Sequence, residues 1–136
     1  MKALLFGAWN TDLGLLLMRI VFGGFMMFGH GLGKLSGFAE RMDSFPDPLG
    51  VGSTMSLALA VGAEFFAAFL VILGLATRAA LVPLVITMVV AGFIIHGADP
   101  FQKQELALIY LAAYIVLFLT GPGKYSVDNK LANKGS

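Results

Sequence analysis

Apolar residues fall along this chain in four long blocks, separated by short polar or Gly/Pro-rich interruptions. Each block is long enough for a helix crossing a hydrocarbon core of about 30 Å. The pattern predicts spans over residues 12–35, 53–75, 79–96 and 103–120, a loop over 36–52 and a polar tail over 124–136. Thr11 or Asp12 suits the N-cap of the first span. Pro83 falls near the start of the third, where proline is best tolerated, and Gly121-Pro122-Gly123 stops the fourth. The loop contains FPDPLGVG, whose prolines and glycines exclude a continuous helix, while Phe38, Met42 and Phe45 suit a short segment along the membrane surface. The expected fold class is all-α, a four-transmembrane-helix bundle forming a single membrane domain over 1–136.

Two spans carry a charge at depth, Arg19 in the first and Glu64 near the middle of the second. An ionised group there costs several kcal/mol unless it faces protein or water and has a partner. Glu64, flanked one turn away by small Ala60 and Ala68, is the expected partner of Arg19, as a structural ion pair or as one wall of a pocket. Arg19, Gly23, Met26 and His30 lie on one helical stripe. His30, His96 and Glu105 come from three spans but fall at the same end of the bundle, and Tyr110 and Tyr114 stack four apart on the fourth. The expected pocket is therefore lined by Arg19 and Glu64 in its deeper part and by His30, His96 and Glu105 at its rim, with Tyr110 also among its lining residues. Imidazoles and a carboxylate there relay protons or bind a metal. No HxxH, HxxxH or HxxE pair shares a helix, so no metal site is assigned. Lys34 is read as a snorkelling anchor, and the FPDPLG loop as either a lid over the rim or a plain linker.

Composition agrees with a membrane chain: 58% of the 136 residues are hydrophobic and 12% charged. A net charge of +1, with no basic run interleaved with aromatics, sets nucleic acid aside as a partner. The absence of cysteine excludes disulfides and thiol redox chemistry, so any redox role needs a bound cofactor or a redox partner protein. The first apolar run is short and interrupted by Trp9 to Asp12, so the first full span is read as its own uncleaved insertion signal; Gly135-Ser136 is given no structural weight. Lys2, Arg78, Lys124, Lys130 and Lys134 lie at the terminal end of the bundle, against Lys34, Arg41 and Lys103 at the other. That balance places the termini on the cytoplasmic side of the cell (inner) membrane.

The run MRIVFGGFMMFGHGLGKL in the first span, FPDPLG in the loop, Glu64 in the second span, GLATR at its end and GPGKYSVD after the fourth stand in the order and spacing of the DoxX family of small four-helix membrane proteins. The chain resembles that family from about Asp12 to Asp128. The resemblance implies the four-helix fold and an association with redox complexes, since the family name is linked to a membrane subunit associated with thiosulfate:quinone oxidation. The expected function is a redox-associated subunit, a membrane part of an oxidoreductase, that binds a quinone-like lipid in its polar pocket. Two alternatives stay open: a non-enzymatic scaffold docking a partner enzyme through the loop or tail, and a small-solute carrier, which four short helices would achieve only as a homo-oligomer.

Overall fold

The computed structural model describes residues 1–7 and 9–134; Gly135-Ser136 lie outside the described residues. In chain order the helices are α1 (Lys2–Phe6), α2 (Thr11–Ser36), α3 (Phe38–Arg41), α4 (Ser53–Leu73), α5 (Thr77–Ile95), α6 (Phe101–Thr120) and α7 (Val127–Lys134). Among the described residues there is no strand, and four helices, α2, α4, α5 and α6, are long and apolar enough to cross a membrane. Large apolar side chains such as Leu17, Phe25, Phe66 and Phe93 point outward, as a lipid-facing surface requires. The interior is filled by Met26, Leu57, Val71, Leu81, Leu84, Tyr114 and Leu117.

Local chemistry sets where the spans begin and end. Asn10 caps α2, its side chain accepting from the Leu13 N–H at 3.0 Å. Gly74, with φ of +69°, closes α4 in the left-handed conformation that glycine adopts without penalty. The start of α5 is capped from far along the chain. The Asp128 carboxylate accepts from the Ala76 N–H at 2.7 Å, the Thr77 N–H at 2.9 Å and the Thr77 hydroxyl at 2.7 Å. Arg78 donates to the Phe118 carbonyl at 2.9 Å near the end of α6, and the Lys124 N–H donates to Asp12 at 2.9 Å. The polar segment after α6 is thus tied to the ends of α2, α4 and α5, rather than trailing from the bundle.

Burial works to raise the pKa of Asp128, but the hydrogen bonds from Thr77 and Ala76, with the charge of Arg19, outweigh it and hold the carboxyl below its ordinary value. A depressed carboxyl stabilises the fold above its unfolded pKa of about 3.9, and that contribution disappears as the pH falls through the folded value. Asp128→Ala is therefore expected to cost about 1–2 kcal/mol at neutral pH, the usual cost of a lost cap. It should also flatten the loss of stability that the wild type shows below about pH 4. Unfolding of both proteins in mild detergent across an acid pH series checks this.

Glycines set the register of α2 against α4. A Cβ at Gly31 would fall on the Glu64 carbonyl, and one at Gly23 would meet Cγ1 of Ile72 at 2.8 Å. The two antiparallel backbones therefore touch with Gly31 level with Glu64 and Gly23 level with Ile72. The same register carries Arg19, twelve residues before Gly31, roughly 18 Å along the helix from Glu64.

That distance corrects the expected Arg19–Glu64 pair. Arg19 is 1% exposed, yet its guanidinium faces backbone carbonyls. Nε donates to Val71 O at 3.1 Å, Nη2 to Ile72 O at 3.1 Å and Tyr125 O at 2.9 Å, and Nη1 to Pro122 O at 3.0 Å and Tyr125 O at 2.8 Å. Val71 and Ile72 belong to the last turn of α4, where carbonyls outnumber helical N–H donors; Val71 O accepts the Gly74 N–H at 3.1 Å as well. A planar fork of N–H donors matches such a ring of acceptors. Arg19 locks the segment after α6 onto the end of α4.

Candidate ligand cavity at the loop end

In three places among the described residues the spanning helices widen into π-helical turns: Met27–Gly31 in α2, Gly62–Ala67 in α4 and Val90–Ile95 in α5. Such a turn inserts a residue into the helical ladder and re-aims the side chains beyond it, and it is found often at functional sites. All three flank one cavity of about 510 Å³, at the end of the bundle away from the termini. His30 comes from the first turn, Glu64 from the second, and Val90, Ala91 and Ile95 from the third. The widened turns supply the space, while Gly31 keeps α2 and α4 in backbone contact beside it.

The walls are mostly apolar: Met26, Leu59, Ala60, Pro83, Ile86, Met88, Leu106 and Ala107. Phe45, Pro46, Pro48 and Leu49 of the FPDPLG loop close one side, so the loop lies against the cavity. It is held there by Asp47, whose carboxylate accepts from the Val51 N–H at 2.9 Å, the Gly52 N–H at 2.8 Å and the Ser56 hydroxyl at 2.8 Å. The Gly52 N–H, the Ser56 hydroxyl and the Val51 N–H together lower the pKa of Asp47, in that order of effect. The clamp therefore holds above the ordinary carboxylate range and weakens in acid.

Few polar groups reach the cavity. Lys34 Nζ and Glu64 Oε1 form an ion pair at 2.9 Å, with the carboxylate nearly buried and the ammonium partly accessible. Lys34 leans back toward the N-terminal end of its helix, as helical side chains do, and so reaches a carboxylate level with Gly31. His30 meets the Tyr110 ring edge to face, with centroids 5.7 Å apart. Tyr110 packs in turn against Phe22 at 5.9 Å and Tyr114 at 5.9 Å. Tyr114 is satisfied, its hydroxyl donating to the Phe22 carbonyl at 3.0 Å. The His30 ring nitrogens and the Tyr110 hydroxyl are hydrogen-bonded to none of the described residues. No sealed side-chain polar atom among the described residues lacks a partner, so these groups open onto the cavity they line. His96, at the mouth, has Nδ1 2.8 Å from Asp99 Oδ2, and Lys103 joins it from α6.

Of the residues expected at the pocket, His30, Glu64, His96 and Tyr110 line this cavity, whereas Arg19 and Glu105 do not. Arg19 belongs to the knot at the other end of the bundle. Glu105 is exposed on α6, because Lys103, Leu106, Ala107 and Tyr110 occupy the face turned to the cavity and residue 105 falls on the far side. Sequence reasoning passed over Lys34 and Lys103 as cavity residues. The spacing of Lys103, Ala107 and Tyr110, one helical stripe ending on an aromatic, was the available signal for the second. Among the described residues no set of three His, Asp or Glu side chains is arranged to hold a metal ion.

The cavity also has a side toward lipid. Leu59 and Ile86 line it while remaining 56% and 54% exposed on the outer surface of the bundle. Contacts between α4 and α5 concentrate around Gly62–Ala67 and the turn that joins the two helices. Toward the loop end, Leu59 and Ala60 of α4 and Ile86 and Val90 of α5 all line the cavity.

Comparison with known proteins gives a consistent answer. The DoxX family model matches residues 14–97, which covers the first three spans, the cavity loop and both histidines. An uncharacterised protein of Haemophilus influenzae is 33% identical over 127 residues, 88% of this chain and 83% of that protein. No solved structure matches the chain. With a family model over more than half its length and a relative aligned through nearly all of it, this integral membrane chain belongs to the DoxX family.

Proposed function

We propose that this chain is a redox-associated membrane subunit that holds a quinone-like lipid in the loop-end cavity, presenting it to a redox partner protein. One observation carries the proposal: a largely apolar cavity, whose wall residues Leu59 and Ile86 are also exposed on the outer surface, contains hydrogen-bonding groups, the Tyr110 hydroxyl and the His30 ring, that no described residue satisfies. A volume of about 510 Å³ lies within the range of small-molecule sites, which combine apolar walls with a few convergent polar groups. The residues fit the head group of a quinone. Its ring is flat and apolar enough to pack on Met26, Ile86 and Leu106, and its carbonyl oxygens accept from an ammonium, a phenol or an imidazole N–H. An isoprenoid tail leaves between Leu59 and Ile86 into the bilayer. A bound quinone supplies reversible uptake of electrons and protons. The chain's own part is to orient it: Lys34 donates to one carbonyl while Glu64 fixes the ammonium, and Tyr110 with His30 donates to the other. His96 with Asp99 stands at the mouth as the group able to exchange protons with water. In this reading the termini face the cytoplasm across the inner membrane, following the surplus of lysines at that end.

The test is a titration of the detergent-purified protein with short-chain ubiquinone and menaquinone analogues. Wild type should bind one of them saturably. Lys34→Met should weaken binding by about tenfold or more, the cost of a charge-assisted hydrogen bond. No saturation in wild type, or equal binding in Lys34→Met and Tyr110→Phe, contradicts the proposal and leaves a docking scaffold as the better reading.

A further inference from the structure

At the terminal end of the bundle, we propose that the groove between the tip of α4 and the C-terminal helix α7 binds the phosphate of one anionic phospholipid. The groove, about 580 Å³, is lined by Leu73, Tyr125, Lys124, Lys130 and Lys134 among others. Its walls are held in place. The Asp128 N–H donates to the Gly74 carbonyl at 2.8 Å, and the Tyr125 carbonyl receives Arg19 from both Nη atoms. The lysines, by contrast, are uncommitted: none of the three forms an ion pair among the described residues. The acids of this end are already engaged, Asp12 by the Lys124 N–H and Asp128 by Ala76 and Thr77. Three neighbouring ammonium groups left unneutralised around a concave surface call for a multivalent oxyanion.

Depth identifies its source. Leu73 is the last residue of α4 and is 37% exposed, so the groove begins where the lipid-facing surface of that span ends. The Tyr125 ring is also exposed there, at the level where amphipathic aromatics settle. An acyl chain running along α4 past Leu73 brings its phosphate between Lys124, Lys130 and Lys134, and a free phosphate gains nothing from the apolar wall. The site is independent of the cavity at the other end of the bundle.

The full chain is reconstituted in phosphatidylcholine nanodiscs carrying a minority of phosphatidylglycerol. Retained lipid is then counted by native mass spectrometry after release into mild detergent. One phosphatidylglycerol should stay with each chain in preference to phosphatidylcholine. The triple variant K124Q/K130Q/K134Q should weaken its retention about 100-fold, at roughly fivefold for each lysine near an anionic lipid. R41Q, one charge lost at the opposite end, should change nothing. Should the triple variant melt abnormally, K130Q alone decides, with an expected loss of about fivefold. Equal retention of both lipids, retention unaffected by the lysine variants, or displacement by inorganic phosphate as complete as by phosphatidylglycerol would overturn the proposal.

Discussion

Arg19→Ala is expected to be the most destabilising single substitution in the chain, at about 3–5 kcal/mol. The guanidinium serves carbonyls of Val71, Ile72, Pro122 and Tyr125, and an alanine removes its five hydrogen bonds to them and leaves a cavity the size of the lost side chain. Water cannot easily replace it, because Arg19 is almost wholly enclosed. The damage should spread, since Tyr125 positions the segment from which Asp128 caps α5. Arg19→Lys keeps the charge but presents a compact ammonium instead of a fork, so it should recover only part of the loss. Glu64→Gln, at the other end of the bundle, serves as the control and should melt much closer to wild type. Thermal unfolding and protease resistance in mild detergent measure all three. An Arg19→Ala protein that unfolds with Glu64→Gln, rather than well before it, would return Arg19 to the role of a cavity group.

Gly31→Ala is expected to rank second, at roughly 3 kcal/mol or more, because the added methyl collides with backbone and not with a flexible side chain. Relief requires α2 and α4 to separate at Glu64. The π-helical turns of both helices face each other there, so separation also draws Lys34 away from Glu64 and alters the cavity. Gly31→Ala should therefore lose ligand binding along with stability. Gly33→Ala, two residues on and with open space around its Cβ position, should lose neither. A Gly31→Ala protein as stable as Gly33→Ala would mean that the helices pack in another register.

The membrane helices were legible because a hydrocarbon core demands length and apolarity, and both can be read without knowing the neighbours. The groups that end those helices were less so. Asp128 caps a helix whose first residue lies 51 positions earlier, and nothing in GPGKYSVD announces where its carboxylate will land. Arg19 drew attention as a charge inside an apolar span, but a charge suggests an opposite charge. Carbonyl acceptors belong to every residue and leave no mark in a sequence. The register that separates Arg19 from Glu64 was written in Gly23 and Gly31, yet it becomes readable only once the facing helix is known. The cavity owes its space to π-helical turns that no spacing rule predicts. Its polar content was partly readable: His30, Glu64, His96 and Tyr110 stood out as polar groups within or beside apolar spans. Lys34 did not, because a lysine near the end of a span has a ready explanation as an anchor.

The central claim is that the loop-end cavity holds a quinone-like lipid while the Arg19 knot only maintains the fold. Native mass spectrometry with organic extraction, on protein purified in mild detergent from its own membranes, tests this most directly. One quinone per chain, lost in Glu64→Gln and Lys34→Met but kept in the folded fraction of Arg19→Lys, is the result predicted. Wild-type protein that carries bulk phospholipid and no quinone, or quinone retention that follows Arg19 and ignores Glu64 and Lys34, would contradict it.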